Sequence, residues 1–361
     1  MSQKDKWSSD QNLRISKMTQ VPEPLRYPAE LLSRVHVNPM LLCRNKSPVY
    51  IDATATVEEA ASILTNNNIS SAPLYDAPSD NFIGVLDYRD LATYVLKVFH
   101  KASSENKFNV EAEMGMSDIV KLSNFDKQGV PVHLIANLSR RDALVPIEVS
   151  ATLSDACSLL VKEKVHRLIV FDPAIPKGPE RFLGVLSESS VCKFVADRFG
   201  KLGEVLGTWD DGKKSLAELG FVKGNVISIH KEDSVLDALS IMHDHSISSL
   251  AIIENGDKLI GTISMSDIRE ILKSRRDWKH LYDQVFTFFQ NNLSRLGIER
   301  GADRVPSVVA RPQTSLLTAM ERMVGTHIHR LWIVENGDTL VGVLAMSDLM
   351  PLFLSRMPQE K

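Results

Sequence analysis

Apolar and polar positions follow two different rhythms along residues 227–267, ISIHKEDSVLDALSIMHDHSISSLAIIENGDKLIGTISMSD. A β-rich run at Val226–Ile229 leads to Ser234, a residue suited to cap a helix, and then to apolar residues at Val235, Ala238, Leu239 and Met242. That spacing predicts a helix with one buried face. A second β-rich run, Leu250–Ile253, meets Lys258–Ile263 across Asn255-Gly256, a dipeptide that supplies the two positive φ angles of a tight hairpin. Ser264 and Asp267 then open a short helix, Ile268–Lys273. The predicted unit is β-α-β-β-α.

The unit recurs four times. Its first helix begins with Ser or Thr, an apolar residue and then Ala, at Thr56/Val57/Ala60, Thr152/Leu153/Ala156, Ser234/Val235/Ala238 and Ser315/Leu316/Ala319. The return strand of each hairpin carries Gly84, Gly184, Gly261 or Gly342. Three and six residues later stand Asp87/Asp90, Ser187/Ser190, Ser264/Asp267 and Ala345/Asp348. The strand before the hairpin opens on Ser70-Ser71, His166-Arg167, Ser248-Ser249 and His329-Arg330 in turn. Odd repeats have Ser-Ser and even repeats have His-Arg, so the units form two pairs of stacked supersecondary modules. The fold class is α/β.

The implied layout is a disordered segment at 1–30, with repeats at 45–99, 143–198, 224–274 and 304–355. An insertion at 100–140 has a helical stretch near Met116–Leu122 and is a candidate partner contact. The bridge 199–223 holds Ser215–Gly220 as a short capped helix closed by Gly. In the linker 275–303, apolar residues at Trp278, Leu281, Tyr282, Val285, Phe286 and Phe289 predict a five-turn amphipathic helix over Asp277–Leu296, covering a module or docking a partner.

Composition narrows the function. The chain has 361 residues, 43% of them hydrophobic, and a formal charge of −3, which argues against nucleic acid or an acidic membrane as the main partner. No apolar run approaches the ~18 residues that span a bilayer. The polar start reads as neither signal nor transit peptide, so a cytoplasmic protein, also nuclear in some settings, is expected. Cys43, Cys157 and Cys192 are scattered and read as buried thiols in a reducing compartment. No nucleophile–base–acid set, Walker loop or dinucleotide fingerprint occurs, so no enzyme is expected. His243 and His245 fall on different helix faces, and no metal is expected.

The chemistry centres on the helix starts. Ser264-x-x-Asp267 fits a capping box, and equally a carboxylate that accepts two hydrogen bonds from a ribose diol. Ala345 has no side chain with which to cap, yet Asp348 is present, which favours ribose binding. His166-Arg167 and His329-Arg330, at identical register, are the candidate phosphate binders, Arg as a bidentate fork and His as a titratable donor.

These residues resemble cystathionine-β-synthase (CBS) domains, nucleotide-sensing repeats that pair into Bateman modules, over roughly residues 45–354. The His-Arg alternation and the Gly-h-h-Ser-x-x-Asp ends resemble the γ subunit of AMP-activated protein kinase. VLDYRDL in repeat one, SLAELG in the bridge and HRLWIV in repeat four resemble the fungal four-CBS proteins that restrain a type 2A phosphatase. The resemblance implies an α+β disk of two modules binding AMP, ADP or ATP and controlling either a kinase, through its catalytic and scaffold subunits, or that phosphatase. It places ribose on Asp90, Asp267 and Asp348, with Asp87, Ser187 and Ser264 at the helix starts, and phosphate on His166, Arg167, His329 and Arg330. Ser190 stands where the acid of repeat two belongs, so the resemblance implies at most three nucleotide sites. Ser70 and Ser189-Ser190 replace basic residues of the kinase group and weaken the phosphate cluster. On this reading Asp267→Ala weakens nucleotide binding, measured by calorimetry, and leaves thermal unfolding unchanged; unfolding with it would assign Asp267 to capping alone.

Overall fold

The structure, a computed structural model, describes residues 28–37, 48–104, 129–200, 209–273, 277–300 and 307–354. Four three-stranded sheets dominate it: β1 (Ile51–Asp52), β2 (Ser71–Asp76) and β3 (Asn81–Asp87); β4 (Pro146–Glu148), β5 (Arg167–Phe171) and β6 (Phe182–Ser187); β7 (Ser228–His230), β8 (Ser249–Glu254) and β9 (Lys258–Ser264); β10 (Val309–Ala310), β11 (Arg330–Val334) and β12 (Leu340–Ala345). In each sheet the first strand runs parallel to the second and the second antiparallel to the third.

Between the first and second strands runs a helix: Val57–Asn66, Leu153–Glu163, Val235–Asp244 or Leu316–Thr326. The residues predicted as caps hold these starts. Thr56, Thr152 and Ser234 form full capping boxes with Glu59, Asp155 and Asp237, and Ser315 accepts from the Thr318 N–H. A second helix follows each third strand: Tyr88–Ser104, Glu188–Phe199, Ile268–Lys273 and Met346–Leu354.

Sheets of repeats one and two pack face to face through Phe82, Val85, Ile169 and Phe182. Those of repeats three and four pack through Ala251, Ile253, Trp332 and Val334. Helices pair differently. Leu91 and Val95 of repeat one share a core with Ala238 and Met242 of repeat three, and Leu153 and Val195 of repeat two share one with Met320 and Phe353 of repeat four. The repeats therefore ring a common centre in the order one, two, four, three.

Four connecting segments clasp the repeats at the capping residues. Isolated bridges join Thr56 to Pro131, Thr152 to His36, Ser234 to Gln284 and Ser315 to Ser215. The stretch 129–140 of the predicted insertion thus lies on repeat one, with Val130, Val132 and Ile135 buried in its core; the stretch near Met116–Leu122 lies outside the described residues. Three of the four recurrent glycines mark where such segments cross. A Cβ at Gly84 would lie 3.3 Å from the Ala136 Cβ, at Gly261 2.8 Å from the Phe289 ring, and at Gly342 2.3 Å from the Phe221 carbonyl oxygen.

Several expectations shift. The linker forms a 3₁₀ turn at Asp277–Leu281 and a helix only from Val285 to Arg300, because the Gln284 bridge to Ser234 and the Val235 N–H bond to the Asp283 carbonyl interrupt it. Its buried Leu281, Val285 and Phe288 cover repeat three. Ser215–Gly220 is one capped turn closed by Gly220 at φ +77. In the hairpin of repeat three the positive φ angles fall on Gly256 and Asp257, giving a loop one residue longer than the two-residue turn. Pro28–Ser33 of the N-terminal region forms a helix; residues 1–27 lie outside the described residues.

Gly342→Ala drives a methyl group into a backbone carbonyl and is expected to lower stability by roughly 1–3 kcal/mol. Gly325→Ala, in the exposed last turn of a helix with open space around it, is expected to raise stability by roughly 0.5–1 kcal/mol. Urea unfolding of both variants measures the contrast.

Candidate ligand-binding cleft

Because strands β2, β5, β8 and β11 all start at the centre of the ring, their opening dipeptides meet there. Ser70, Ser71, His166, Arg167, Ser248, His329 and Arg330 line one cavity of about 470 Å³. The four candidate phosphate binders are thus brought together.

Their partners differ sharply. The Arg167 guanidinium is nearly enclosed and donates to Asp87 Oδ2 at 2.5 Å, with Ser70 Oγ at 3.4 Å. Asp87 is buried, and its other oxygen accepts the Arg89 N–H at 2.6 Å. Burial alone would raise the Asp87 pKa, but the charges of Arg167 and Arg89 and that N–H hold it below the ordinary carboxylate value. Arg89, another wall of the cavity, lies 3.5 Å from the buried Asp142. His166 Nδ1 lies 3.0 Å from Glu188 Oε2.

Among the described residues no carboxylate hydrogen-bonds Arg330. It donates to the hydroxyls of Ser248 at 2.7 Å and Ser249 at 2.8 Å, while Asp348 and Glu188 act on it through their charge. Ser264 occupies the register position that Asp87 holds in repeat one. Burial, and then the Arg89 charge, depress the Arg330 pKa to about 10. His329 is reached by water in the cavity yet walled by protein, and that desolvation, with the Arg167 charge next, lowers its pKa. A guanidinium hydrogen-bonded to neutral hydroxyls, beside an imidazole whose pKa is lowered, is an arrangement suited to meeting an anion.

The acids meet a different environment. Asp90 is fully buried, accepting from the Asp87 N–H at 3.1 Å and from the Ser139 N–H and hydroxyl at 2.9 and 2.6 Å. Burial raises its pKa to about 6, against the opposing pull of the Ser139 bonds. Both oxygens are therefore engaged within the chain. Asp267 Oδ2 accepts from the Ser264 N–H and hydroxyl at 2.7 and 2.9 Å. Asp348 Oδ2 accepts the Ala345 N–H at 2.8 Å. A capping carboxylate therefore needs only the backbone of its partner, and the inference drawn from Ala345 does not follow. Neither Asp267 nor Asp348 lines the cavity.

The helix starts of repeats two and four both line the cavity, through Ser187, Ser189 and Ser190 and through Ala345, Met346 and Ser347. Ser187 caps the helix from Glu188, accepting the Ser190 N–H at 3.3 Å. Sequence reasoning missed Glu188, Arg89, the plug at Ser139 and Asp142, and the apolar walls Pro48, Val49, Phe182 and Val185. Arg89, within VLDYRDL, Val185, next to Gly184, and Glu188, next to Ser187, stood beside marked positions; nothing local pairs Ser139 with Asp90. Among the described residues no His/Cys/Asp/Glu group is arranged to hold a metal, and no helix is long and apolar enough to cross a membrane.

Asp87→Asn strands the buried Arg167 charge and is expected to cost about 3–5 kcal/mol. Arg330→Met removes a cation that no carboxylate among the described residues hydrogen-bonds and is expected to leave stability within about 1 kcal/mol or raise it. The wild-type contribution of Asp87 has a pH signature. Its folded pKa lies below the unfolded value near 3.9, so that stability is present above pH ~4 and is lost as pH falls through the folded pKa. Denaturant titrations across pH, with Asp87→Asn losing this acid-side slope, measure both effects.

A family model for the CBS domain matches residues 43–97, 218–274 and 303–355. The second repeat falls outside these matches, although its sheet has the same topology as the other three. Protein SDS23 of Meyerozyma guilliermondii is 30% identical over 303 residues, covering 80% of this chain and 54% of the relative. Protein SDS23 of Kluyveromyces lactis is 28% identical over 351 residues, covering 89% and 64%. The chain thus spans about half to two thirds of the length of these curated relatives. The crystal structure of protein MJ1225 from Methanocaldococcus jannaschii, a candidate archaeal homologue of γ-AMPK, superposes with a TM-score of 0.61 at 16% identity, covering 88% of this chain and 100% of that one. The likeness to that structure is one of fold. With four sheets of one topology and three segments matched by the family model, the chain belongs to the CBS-domain family and is built of multiple CBS repeats.

Proposed function

We propose that this CBS-repeat regulatory protein restrains a type 2A protein phosphatase and reads an adenine nucleotide, AMP, ADP or ATP, in its central cleft. The observation that carries the ligand half is Arg330, a half-buried guanidinium lining a 470 Å³ cavity with serine hydroxyls as its hydrogen-bond partners among the described residues. A phosphate oxygen supplies the charge-assisted bonds that this arrangement lacks. The partner half rests on kinship with proteins named SDS23 across 80–89% of the chain, the group that the VLDYRDL, SLAELG and HRLWIV stretches resemble. Control of a kinase of the AMP-activated type is the second reading. It rests on the His-Arg alternation. The role is non-catalytic: the ligand changes partner affinity by as much as it prefers one surface state over another.

Tagged full-length chain, recovered from its own cells, is expected to carry a type 2A catalytic subunit and, added to that subunit in vitro, to lower its phosphatase activity. Kinase catalytic and scaffold subunits in place of the phosphatase would reverse the order of the two readings.

A further inference from the structure

At the outer end of repeats one and two, where β1, β2, β4 and β5 finish, aromatic rings and carboxylates stand together. β2 leaves the cavity at Ser71 and ends at Asp76, roughly 17 Å further on at 3.4 Å per residue. Tyr75, Phe82, Phe171 and Phe182 fill the seam between the two sheets, with ring centroids 5.3 Å apart for Tyr75–Phe82, 5.4 Å for Phe82–Phe171 and 5.5 Å for Phe82–Phe182. Arg181 lays its guanidinium 4.5 Å from the Phe171 centroid and donates to Asn81 and to the Pro176 carbonyl. Tyr50, 41% exposed, meets Tyr75 and Phe82 edge to face at 5.6 and 6.0 Å. A ring backed by two others and still open to water is a rigid anchor for a partner.

The strand ends beside these rings carry Asp52, Asp76, Asp80, Glu148, Asp172 and Glu180. Asp52 is the register partner of Tyr75 and Glu148 that of Phe171, Asp80 accepts the Tyr75 hydroxyl, and the charges of Asp80 and Glu180 both act on Tyr75. Among the described residues none of the six forms an ion pair. The matching end of repeats three and four is finished differently. In the same register its seam is aliphatic, Ile253, Leu259, Val334 and Leu340, and all four are buried. Its carboxylates are met by cations: Glu254 by Lys231 at 3.3 Å and Lys258 at 3.2 Å, and Asp338 by Arg311 at 3.3 Å.

We infer that the outer face of repeats one and two docks a basic segment of a partner protein, an arginine or lysine lying over Tyr50 with the surrounding carboxylates meeting its charge. A cation over an aromatic face gains from the ring and from nearby carboxylates at once, and a guanidinium adds a planar fork that a carboxylate matches. Apolar residues flanking that cation meet Tyr75 and Phe171, both half-buried. The face is separate from the strand starts at the cleft, and the inference needs neither the nucleotide nor the phosphatase of the proposed function.

Selection of a random peptide display library on the full-length chain, counter-selected on Tyr50→Ala, tests this. Selected sequences are expected to be rich in arginine and lysine. The strongest of them, as a labelled peptide in fluorescence polarisation, is expected to bind at least tenfold more weakly to Tyr50→Ala and to the double variant Asp76→Asn, Glu180→Gln, with thermal melting unchanged in both. Raising salt from about 0.05 to about 0.3 M is expected to weaken it at least fivefold. The double variant Asp257→Asn, Glu335→Gln removes the same charge from exposed residues of repeats three and four and leaves binding within twofold. Failure to enrich any sequence over Tyr50→Ala, enrichment of proline-rich or acidic sequences, or an equal loss in the second double variant overturns the inference. Self-association of the wild type that Tyr50→Ala abolishes assigns the face to a second copy of this chain and overturns it as well.

Discussion

A guanidinium taken out of water must be met by an anion, and this molecule places two of them, Arg167 and Arg330, where four strands begin. The placement follows from topology: pairing sheets one-with-two and three-with-four while pairing helices one-with-three and two-with-four leaves the strand starts nowhere else to go. The two modules answer the same demand differently. In the first, Asp87 supplies the anion from within the chain, and the neighbouring carboxylates Asp142 and Asp90 are sealed beside it. In the second, Ser264 stands where Asp87 stands in the first, and among the described residues Arg330 hydrogen-bonds to the hydroxyls of Ser248 and Ser249.

The repeat architecture was legible because its signals are local. Capping residues, the spacing of apolar positions and the glycine of each return strand all fall within about fifty residues, and the structure shows a physical reason for each. The glycines are a case in point. At Gly84, Gly261 and Gly342 a connecting segment from outside the hairpin crosses so closely that a Cβ would meet it at 2.3 to 3.3 Å. Sequence marks the glycine and not the segment that crosses it. For the same reason residues 129–140, read as insertion, turn out to be structural, and the helix predicted over Asp277–Leu296 is cut by a clasp on Ser234.

At the site, convergence of the two His-Arg pairs was readable from their common register. Their inequality was not, since it depends on contacts between residues 80 apart, Asp87 with Arg167, and 49 apart, Asp90 with Ser139. The acids illustrate a second limit. A carboxylate six residues beyond a return-strand glycine looks the same whether it caps a backbone N–H or awaits a ligand. The Ala345 N–H bonding to Asp348 shows that capping requires no side chain at the partner position.

On the proposed function a ligand at Arg330 and a protein partner on the surface are coupled, and coupling of that kind is reciprocal. The most direct measurement is the dissociation constant of the full chain for a type 2A catalytic subunit, without AMP and with AMP at saturation, in the wild type and in Arg330→Ala. The account predicts a change of at least fivefold on adding AMP to the wild type, absent in the variant. Identical constants with and without AMP, in a wild type shown to bind both, would contradict it.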